Sequence, residues 1–319
     1  MNKYRLSPQE LIKIIELARF APSAHNTQPW LVRNNGYELE ISLNEARALE
    51  SGDPVGRQSV IGLGIFTQAA AEAAKSLGLK SNIFFNGKTA QITFKKTGGA
   101  LQAEADLLKS RVTDRSVFTK SEIPKTLKEA IGKSSSDKRV QVWLVDDEKF
   151  IRKLAELTAK GVSLALSNPQ FRNELARYLV RPWSRKASGI SVKSLYIPRV
   201  AAIVQPELLR FSRTTKKESG LEEKRWLSAS AVILITTDGD LGEDWFEAGR
   251  TYLKVCLSIE KTGLSQATSA ATVEAATFHE DVEKMLGTNQ RLQAVIRVGK
   301  GSERRHHSPR LSVEELIVT

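Results

Sequence analysis

Two long helical segments that match at a fixed offset constrain the fold of this 319-residue chain more than any other feature. Residues 57–79 are rich in Ala and carry almost no charge over the first four turns, which is typical of a helix buried on most sides. Residues 245–264 form the second segment. Gly64 matches Gly249 at an offset of 185 residues. Because a mid-helix glycine costs about 1 kcal/mol relative to alanine, matched glycines indicate close helix–helix approach in both copies.

The match continues at the helix ends and in the elements around them. Gly78 and Leu79 correspond to Gly263 and Leu264, and each helix follows a predicted strand and an Asp-containing turn. Each is followed by further strand patterns, at 91–96 in one copy and 294–298 in the other. We interpret this as a structural duplication. A chance match is the alternative, because only a few identities support the pairing.

The segment Ala21–Trp30 (APSAHNTQPW) follows an amphipathic helix that a capping box at Ser7 and Glu10 predicts. Pro22 and Pro29 exclude a helix interior here and push the preceding residues toward extended conformations. The segment is therefore predicted to be a shaped loop that offers polar side chains at a helix end, a common place for function. The alternative is a C-terminal turn whose side chains only cap backbone groups.

This segment resembles the Ala-Pro-Ser-x-x-Asn-x-Gln-Pro-Trp signature of the flavin-dependent nitroreductase superfamily. Nitroreductases are usually homodimers with flavin mononucleotide (FMN) at the subunit interface. Two related halves in one chain therefore resemble the fused, Acg-like branch of actinobacterial dormancy responses. The resemblance implies an α+β, nitroreductase-like fold in which two halves form a pseudo-dimer of antiparallel or mixed sheets flanked by helices.

The resemblance divides the chain into a first half at 1–110 and a second half at 111–319. It excludes a basic, proline-broken stretch at about 168–225. We interpret that stretch as an insertion of short helices and loops without a core of its own, which would fold over the flavin as a lid.

Arg111, Thr113 and Arg115 resemble the family's phosphate-binding motif, Arg-Arg-Ser-x-Arg-x-Phe. Val112 replaces the second basic residue, and Phe118 falls one position late. A surface loop with arginines paired to nearby carboxylates is the alternative. Family members also close the phosphate site with a basic residue near the C-terminus. Arg310 is the candidate, with Arg304 and Arg305 as rivals and a tail without function as the alternative.

The resemblance further implies which residues meet the flavin ring. Pro22, Ser23 and Ala24 would line its edge, and Asn26 would bond a polar ring atom. Gln28 and Trp30 are expected to hold the loop in shape, and His25 is either an acid–base group or a replaceable loop position. In the second half, Thr268 and Ser269 would bring a backbone N–H to the flavin N5.

No catalytic side chain is assigned, since the flavin chemistry needs no protein base. Arg57 and Arg250 either approach the ring or make structural ion pairs. Each signature occurs once, so one flavin site per chain is predicted.

The net charge of +12 leaves open a polyanionic partner, with denser basic patches at Arg181–Lys193, Arg210–Lys217 and Lys300–Arg310. None is interleaved with regularly spaced aromatics, so a solvated basic surface without nucleic acid is the preferred interpretation. No apolar run of about 18 residues is present, and no membrane partner is expected. The single Cys256 suits a reducing cytoplasm.

The expected function is an FMN-dependent oxidoreductase that uses NAD(P)H as a transient donor, since no dinucleotide-binding motif occurs, and a small-molecule electron acceptor. The chain would act as a monomeric pseudo-dimer or a homodimer. The alternative is a flavin-binding or flavin-storage protein whose lid-covered site shows little turnover. A basic nucleic-acid-binding protein is a third hypothesis that rests on charge alone.

Overall fold

The computed structural model describes residues 3–100, 102–211, 215–303 and 305–318. The α-helices of this part of the chain are α1 (Pro8–Ala18), α2 (Arg57–Lys75), α3 (Gln102–Ser110), α4 (Lys125–Ile131), α5 (Glu148–Ser167), α6 (Pro169–Tyr178), α7 (Arg199–Arg210), α8 (Thr215–Leu227), α9 (Gly242–Lys261), α10 (Ala271–Glu274) and α11 (Phe278–Leu286). Its strands are β1 (Trp30–Asn34), β2 (Glu38–Leu43), β3 (Leu79–Phe85), β4 (Ala90–Lys96), β5 (Val140–Val145), β6 (Leu179–Val180), β7 (Ile190–Ser191), β8 (Ala231–Thr237), β9 (Ser265–Thr268), β10 (Arg291–Gly299) and β11 (Ile317–Val318).

The two larger sheets share one strand order. The first runs β11-β1-β2-β4-β3 and the second β5-β8-β10-β9, so β1, β2, β4 and β3 correspond in order to β5, β8, β10 and β9. Neighbouring strands are antiparallel in both sheets, except that β11 runs parallel to β1. Helices flank a mixed sheet and an antiparallel sheet, which confirms the predicted α+β fold class.

Helices α2 and α9 cross in the main core at the two matched glycines. A Cβ atom on Gly64 would lie 2.1 Å from the carbonyl oxygen of Phe246, and one on Gly249 would lie 2.1 Å from that of Ile61. Ile61 and Phe246 are separated by the same 185 residues as the glycines. The contact is therefore reciprocal, as across a two-fold axis. The predicted close helix approach is confirmed, because no side chain fits between the two backbones.

The second half carries a long excursion where the first half has a short turn. Residues 35–37 join β1 to β2, whereas α5 to α8 lie between β5 and β8. The predicted short helices and loops are present in this insertion. The prediction that residues 168–225 lack a core is wrong, because they enclose, together with the end of α5, a separate apolar cluster of Leu166, Ala176, Leu179, Ile190, Val192, Ala202 and Leu209. Its prolines hide this cluster by interrupting the apolar periodicity.

The sequence analysis did not predict strand β1. The chain turns at 313–316 and then forms β11, which pairs Ile317 with Val32 of β1. The C-terminal residues thus complete the sheet of the first half. In the described part of the chain, no helix combines the length and the apolar composition that crossing a bilayer would need.

Candidate functional site

A cleft forms where the loop after α1, the segment after α3, the insertion and the C-terminal segment converge. It is lined by Pro22, Ser23, Asn26, Arg111, Val112, Thr113, Arg115, Ile190, His306, His307, Ser308 and Arg310. Seven of the ten residues predicted to bind the cofactor are in this lining, although they come from three distant parts of the sequence. Ala24, Thr268 and Ser269 are not, and the rival Arg304 lies outside the described residues.

Arg111 and Arg310 lie side by side at the base of the cleft. Both donate to the carbonyl oxygen of Phe20, Arg111 through Nη2 at 3.2 Å and Arg310 through Nη2 at 3.3 Å. Arg310 Nη1 also donates to Asn26 Oδ1 at 2.7 Å. Arg111 Nη1, Arg310 Nε and the nearby Arg19 Nε are buried without a hydrogen-bond partner among the described residues. Three buried guanidinium nitrogens are therefore left with hydrogens to donate and no acceptor among the described residues.

Within the described part of the chain, no acidic group balances the charge of these guanidinium groups. No carboxylate of the described residues lies within ion-pair distance of Arg19, Arg111 or Arg310, whereas Arg305 pairs with Glu260 at 3.0 Å. Burial, and then the charges of Arg111 and Arg19, lower the pKa of Arg310 to about 9. The carbonyl end of α1 supplies only about half a negative charge. Unused donors and uncompensated positive charge suit a bound anion such as a phosphate.

Arg115 and the histidines complete this basic lining. Burial, followed by the charge of Arg225, lowers the pKa of Arg115. Burial and the charges of Arg310 and Arg111 lower the pKa of His307, whose ring meets that of Phe20 edge-on at 6.4 Å. The neutral imidazole adds a hydrogen-bonding group without adding to the repulsion. Sequence reasoning missed His306, His307 and Ile190, since nothing near them in sequence marks the site.

The loop after α1 is held in a strained backbone conformation. His25, Asn26 and Gln28 have φ values of 48°, 56° and 53°, in the left-handed region that residues other than glycine rarely adopt. Such strain persists only where surrounding contacts impose it, and it concentrates at functional sites. The Ser23 hydroxyl supplies one of these contacts by accepting from the Gln28 N–H at 3.0 Å.

The side chains of Asn26 and Gln28 supply the other contacts, which connect the loop to the insertion and to the C-terminal segment. Asn26 Nδ2 donates to the carbonyls of Gly189 at 2.9 Å and Pro309 at 2.8 Å. Gln28 Nε2 donates to the Ala187 carbonyl at 2.9 Å, and its Oε1 accepts from the Leu311 N–H at 2.9 Å. The Asn26 side chain is thus committed to the protein and to Arg310. Gln28, which is fully buried, shapes the loop as predicted.

Other predicted residues have structural contacts. Trp30 stacks on Phe66 with ring centroids 4.6 Å apart, which anchors the end of the loop in the main core. Thr268 lies on β9 and donates through its hydroxyl to the Val295 carbonyl at 2.7 Å. Arg57 pairs with Asp240 at 2.9 Å and Arg250 with Glu247 at 2.8 Å, so both make the structural ion pairs that were one of the two interpretations.

His25 connects the loop to the insertion. Its ring lies 5.9 Å from those of both Phe171 and Tyr178 of α6, and its Nδ1 is buried without a partner among the described residues. Burial, and then the charge of Arg115, lowers the pKa of His25 to about 4. The imidazole is therefore neutral at pH 7, and it packs as an aromatic group under the insertion.

We expect His25 to make folding sensitive to acid. Its pKa is lower in the folded state than its ordinary value of about 6.5, so the unfolded chain binds more protons between pH 6.5 and 4. Its contribution is complete above pH 6.5 and is lost as the pH falls through this window, by about 3 kcal/mol at 1.36 kcal/mol per pKa unit. Asparagine tolerates the positive φ at this position, so His25→Asn is the variant to test. Between pH 7 and pH 4.5, the free energy of unfolding in urea should fall less for His25→Asn than for the parent. An equal fall in both proteins would contradict this assignment.

No family model matches the chain. The chain is 23% identical to a Mycobacterium tuberculosis protein named "Putative NAD(P)H nitroreductase acg" over an alignment of 321 positions. The alignment covers 95% of this chain and 93% of that protein. A second M. tuberculosis protein named as a putative NAD(P)H nitroreductase is 32% identical over 83 residues, 26% of this chain and 24% of that protein.

Among solved structures, the FMN and NADPH-dependent nitroreductase NfnB of "sphigopyxis sp. strain HMH" is 17% identical, with a TM-score of 0.45 over 69% of this chain and 99% of that one. A nitroreductase with bound FMN from Desulfitobacterium hafniense DCB-2 is 12% identical, with a TM-score of 0.45 over 69% of this chain and 98% of that one. The nearly full-length match to the Acg relative confirms that this chain resembles the nitroreductase superfamily and, within it, the Acg-like branch.

Proposed function

We propose that the chain is an FMN-dependent oxidoreductase of the nitroreductase type. It would carry electrons from NAD(P)H through the flavin to a nitroaromatic, a quinone or a similar acceptor. The observation that carries the proposal is the arginine pair Arg111 and Arg310 beside the signature loop, which has buried, unused nitrogen donors and no carboxylate partner among the described residues. The nitroreductase names of the curated relatives support the redox chemistry.

The residues of the cleft fit the anionic tail of FMN. Arg111, Arg310 and Arg115 would hold its phosphate, with the Thr113 hydroxyl as a further hydrogen-bonding group. Pro22, Ser23 and Ala24 would frame the ring. When bound, the flavin supplies hydride acceptance and electron transfer, and the protein supplies binding and orientation. We assign no ring contact to the Asn26 amide, because its two N–H groups already bind carbonyls.

We further propose that the chain is an internal duplication with a first half at 1–110 and a second at 111–319. The matching strand orders and the reciprocal glycine contact support this. The loop after α4 corresponds to the signature loop but lacks its prolines, and its Ser136 hydroxyl bonds the Glu247 carbonyl of α9. One flavin per chain is therefore expected. A cytoplasmic location, with the chain as a monomeric pseudo-dimer or a homodimer, belongs to the same proposal.

The visible absorption spectrum of the purified protein tests the function first. We expect bound flavin, either as purified or after adding FMN and removing the excess, at one equivalent per chain. NADPH and NADH oxidation is then followed with a nitroaromatic and with a quinone. Failure to retain FMN would refute the proposal, and retention without turnover would favour the alternative below.

Flavin storage with little turnover is a second candidate, and a specific observation favours it. The insertion is fastened over the cleft: the Gly189 N–H donates to the Asn26 carbonyl at 3.1 Å, and the Ser191 N–H to the Ser308 hydroxyl at 3.3 Å. Ile190, between them, lines the cleft itself. An insertion held in this way would exclude large acceptors from a bound flavin.

Gly189→Ala should weaken this cover. Gly189 has a φ of 102°, and a Cβ atom there would lie 2.5 Å from the Tyr178 carbonyl oxygen, so any side chain displaces the β6–β7 pair. If the cover limits turnover, the variant should oxidise NADPH with a quinone at least about tenfold faster than the parent. Gly220→Ala is the matched control, because a Cβ atom on Gly220 of α8 meets nothing within 4 Å. Fast turnover of the parent, unchanged in Gly189→Ala, would contradict storage.

A further inference from the structure

The outer face of α7 exposes a line of apolar side chains. Val200, Val204, Leu208 and Phe211, here called the α7 stripe, follow helical spacing, with Val200 77% and Phe211 73% exposed. The opposite face, with Ala202, Gln205 and Leu209, is buried against the insertion. The helix therefore already has a buried face that packs into the protein, and the stripe is a second, exposed apolar face. Contiguous exposed apolar surface of this kind marks an interaction site.

An exposed tryptophan lies in a loop that packs on the same helix. Trp183 is 64% exposed. Two residues earlier, Arg181 donates through Nε to the Ile203 carbonyl at 3.2 Å and pairs with Glu207 at 3.0 Å, which fastens this loop to α7. Aromatic and aliphatic side chains on one amphipathic surface are typical of helices that lie in a membrane interface.

The charge around the stripe is strongly positive. Residues 177–217 contain ten Arg or Lys and one acidic residue, Glu207, a net charge of +9 out of +12 for the whole chain. Arg177, Arg185, Lys186, Lys193, Arg210, Lys216 and Lys217 are exposed. Three quarters of the net charge thus lies in about one eighth of the sequence. Clusters of basic residues beside an amphipathic helix attract anionic lipid head groups.

We propose that the α7 stripe and its basic surround bind the surface of an anionic lipid bilayer. The stripe would enter the head-group region while the basic residues contact lipid phosphates. This is peripheral association without a spanning helix, and it does not depend on the proposed flavin chemistry. A second copy of the chain is disfavoured, because a two-fold contact would bring two strongly basic surfaces together. Nucleic acid would use the charge but not the aliphatic side chains.

Co-sedimentation of the full chain with sucrose-loaded vesicles tests the proposal. Vesicles of phosphatidylcholine that contain about 30% phosphatidylglycerol should bind at least about tenfold more protein than vesicles of phosphatidylcholine alone. Binding to the anionic vesicles should decrease at high salt. Val204→Ser/Leu208→Ser should reduce binding at least about fivefold. Phe84→Ser/Leu241→Ser, which changes residues 58% and 73% exposed outside the insertion, should leave binding unchanged.

Lys216→Glu/Lys217→Glu should also reduce binding, with the exposed pair Lys80→Glu/Lys133→Glu as the matched charge control. Far-ultraviolet circular dichroism of each variant establishes that the fold is retained. Equal binding to both vesicle types would overturn the proposal. So would a concentration-dependent dimer that the stripe variant abolishes, or binding to duplex DNA that persists in the stripe variant while vesicle binding is absent.

Discussion

Replacing both Arg111 and Arg310 by alanine should lower the affinity for FMN by about three orders of magnitude, because two charge-assisted hydrogen-bonding partners of the phosphate are lost at about 1.5–3 kcal/mol each. The two guanidinium groups share the Phe20 carbonyl and retain unused buried donors. Fluorescence titration of the apoprotein with FMN measures the effect. Riboflavin, which lacks the phosphate, should bind the double variant and the parent with similar affinity.

Arg111→Met separates anion binding from a structural role. Arg111 is 3% exposed, and without a bound anion its positive charge repels those of Arg310 and Arg19. Replacing an uncompensated buried charge by an apolar side chain of similar size is often neutral or stabilising. The apoprotein of Arg111→Met should therefore have a free energy of unfolding equal to or higher than that of the parent. Its affinity for FMN should be at least about tenfold lower. A loss of stability with unchanged affinity would make Arg111 structural.

Arg305→Met is the matched control. Arg305 is another basic residue of the C-terminal segment, but its Nη2 donates to Glu260 at 3.0 Å and its charge is compensated. We expect this variant to lose stability, because Glu260 keeps a buried charge without its partner. FMN affinity should stay within about threefold of the parent. A large loss of affinity would instead show that the phosphate site extends to Arg305.

The part of the site that the sequence could predict comes from residues whose local patterns are explicit. The prolines of Ala21–Trp30 mark a shaped loop, and the Arg-x-Thr-x-Arg spacing at 111–115 marks a cationic segment. Their convergence in one cleft depends on contacts between residues nearly 300 positions apart, such as Arg310 with Asn26. No local pattern encodes such a contact, and only the resemblance to a known family suggested it.

The positions that sequence reasoning missed are those where tertiary contacts override local preference. Three non-glycine residues between His25 and Gln28 adopt positive φ, which local propensity disfavours. Hydrogen bonds from Asn26 and Gln28 to the insertion and the C-terminal segment impose this conformation. Asn26 is therefore a connecting residue, although its place in the signature suggested a contact with the flavin ring.

The helix crossing was predicted more completely, because a glycine in a buried helix has few explanations. Gly64 and Gly249 stand inside long apolar helices at the same offset of 185 residues as the glycines that end them, so their lack of a Cβ atom is itself the signal. The structure adds what the sequence could not supply: each glycine faces a backbone carbonyl of the other helix, and the two contacts are reciprocal.

Gly64→Ala and Gly249→Ala should therefore each destabilise the protein severely. A Cβ atom at either position would lie 2.1 Å from a carbonyl oxygen, less than any real contact, and the obstacle is backbone that cannot rotate away. The helices must separate across the main core, which places the loss in free energy of unfolding at about 3 kcal/mol or more. Urea unfolding followed by circular dichroism measures it.

Gly62→Ala, two residues before Gly64 on the same helix, is expected to change stability in the opposite direction. A Cβ atom on Gly62 would meet its nearest neighbour, Ser23 Cβ, at 3.9 Å, an ordinary van der Waals contact. Alanine is the better helix former by about 1 kcal/mol, so the variant should be stabilised by up to that amount. Because the helix and the substitution are the same, only the closeness of the second helix separates the two outcomes. If Gly62→Ala and Gly64→Ala lowered the free energy of unfolding by similar amounts, helix α2 would be sensitive to any added volume and the crossing point would have no special role.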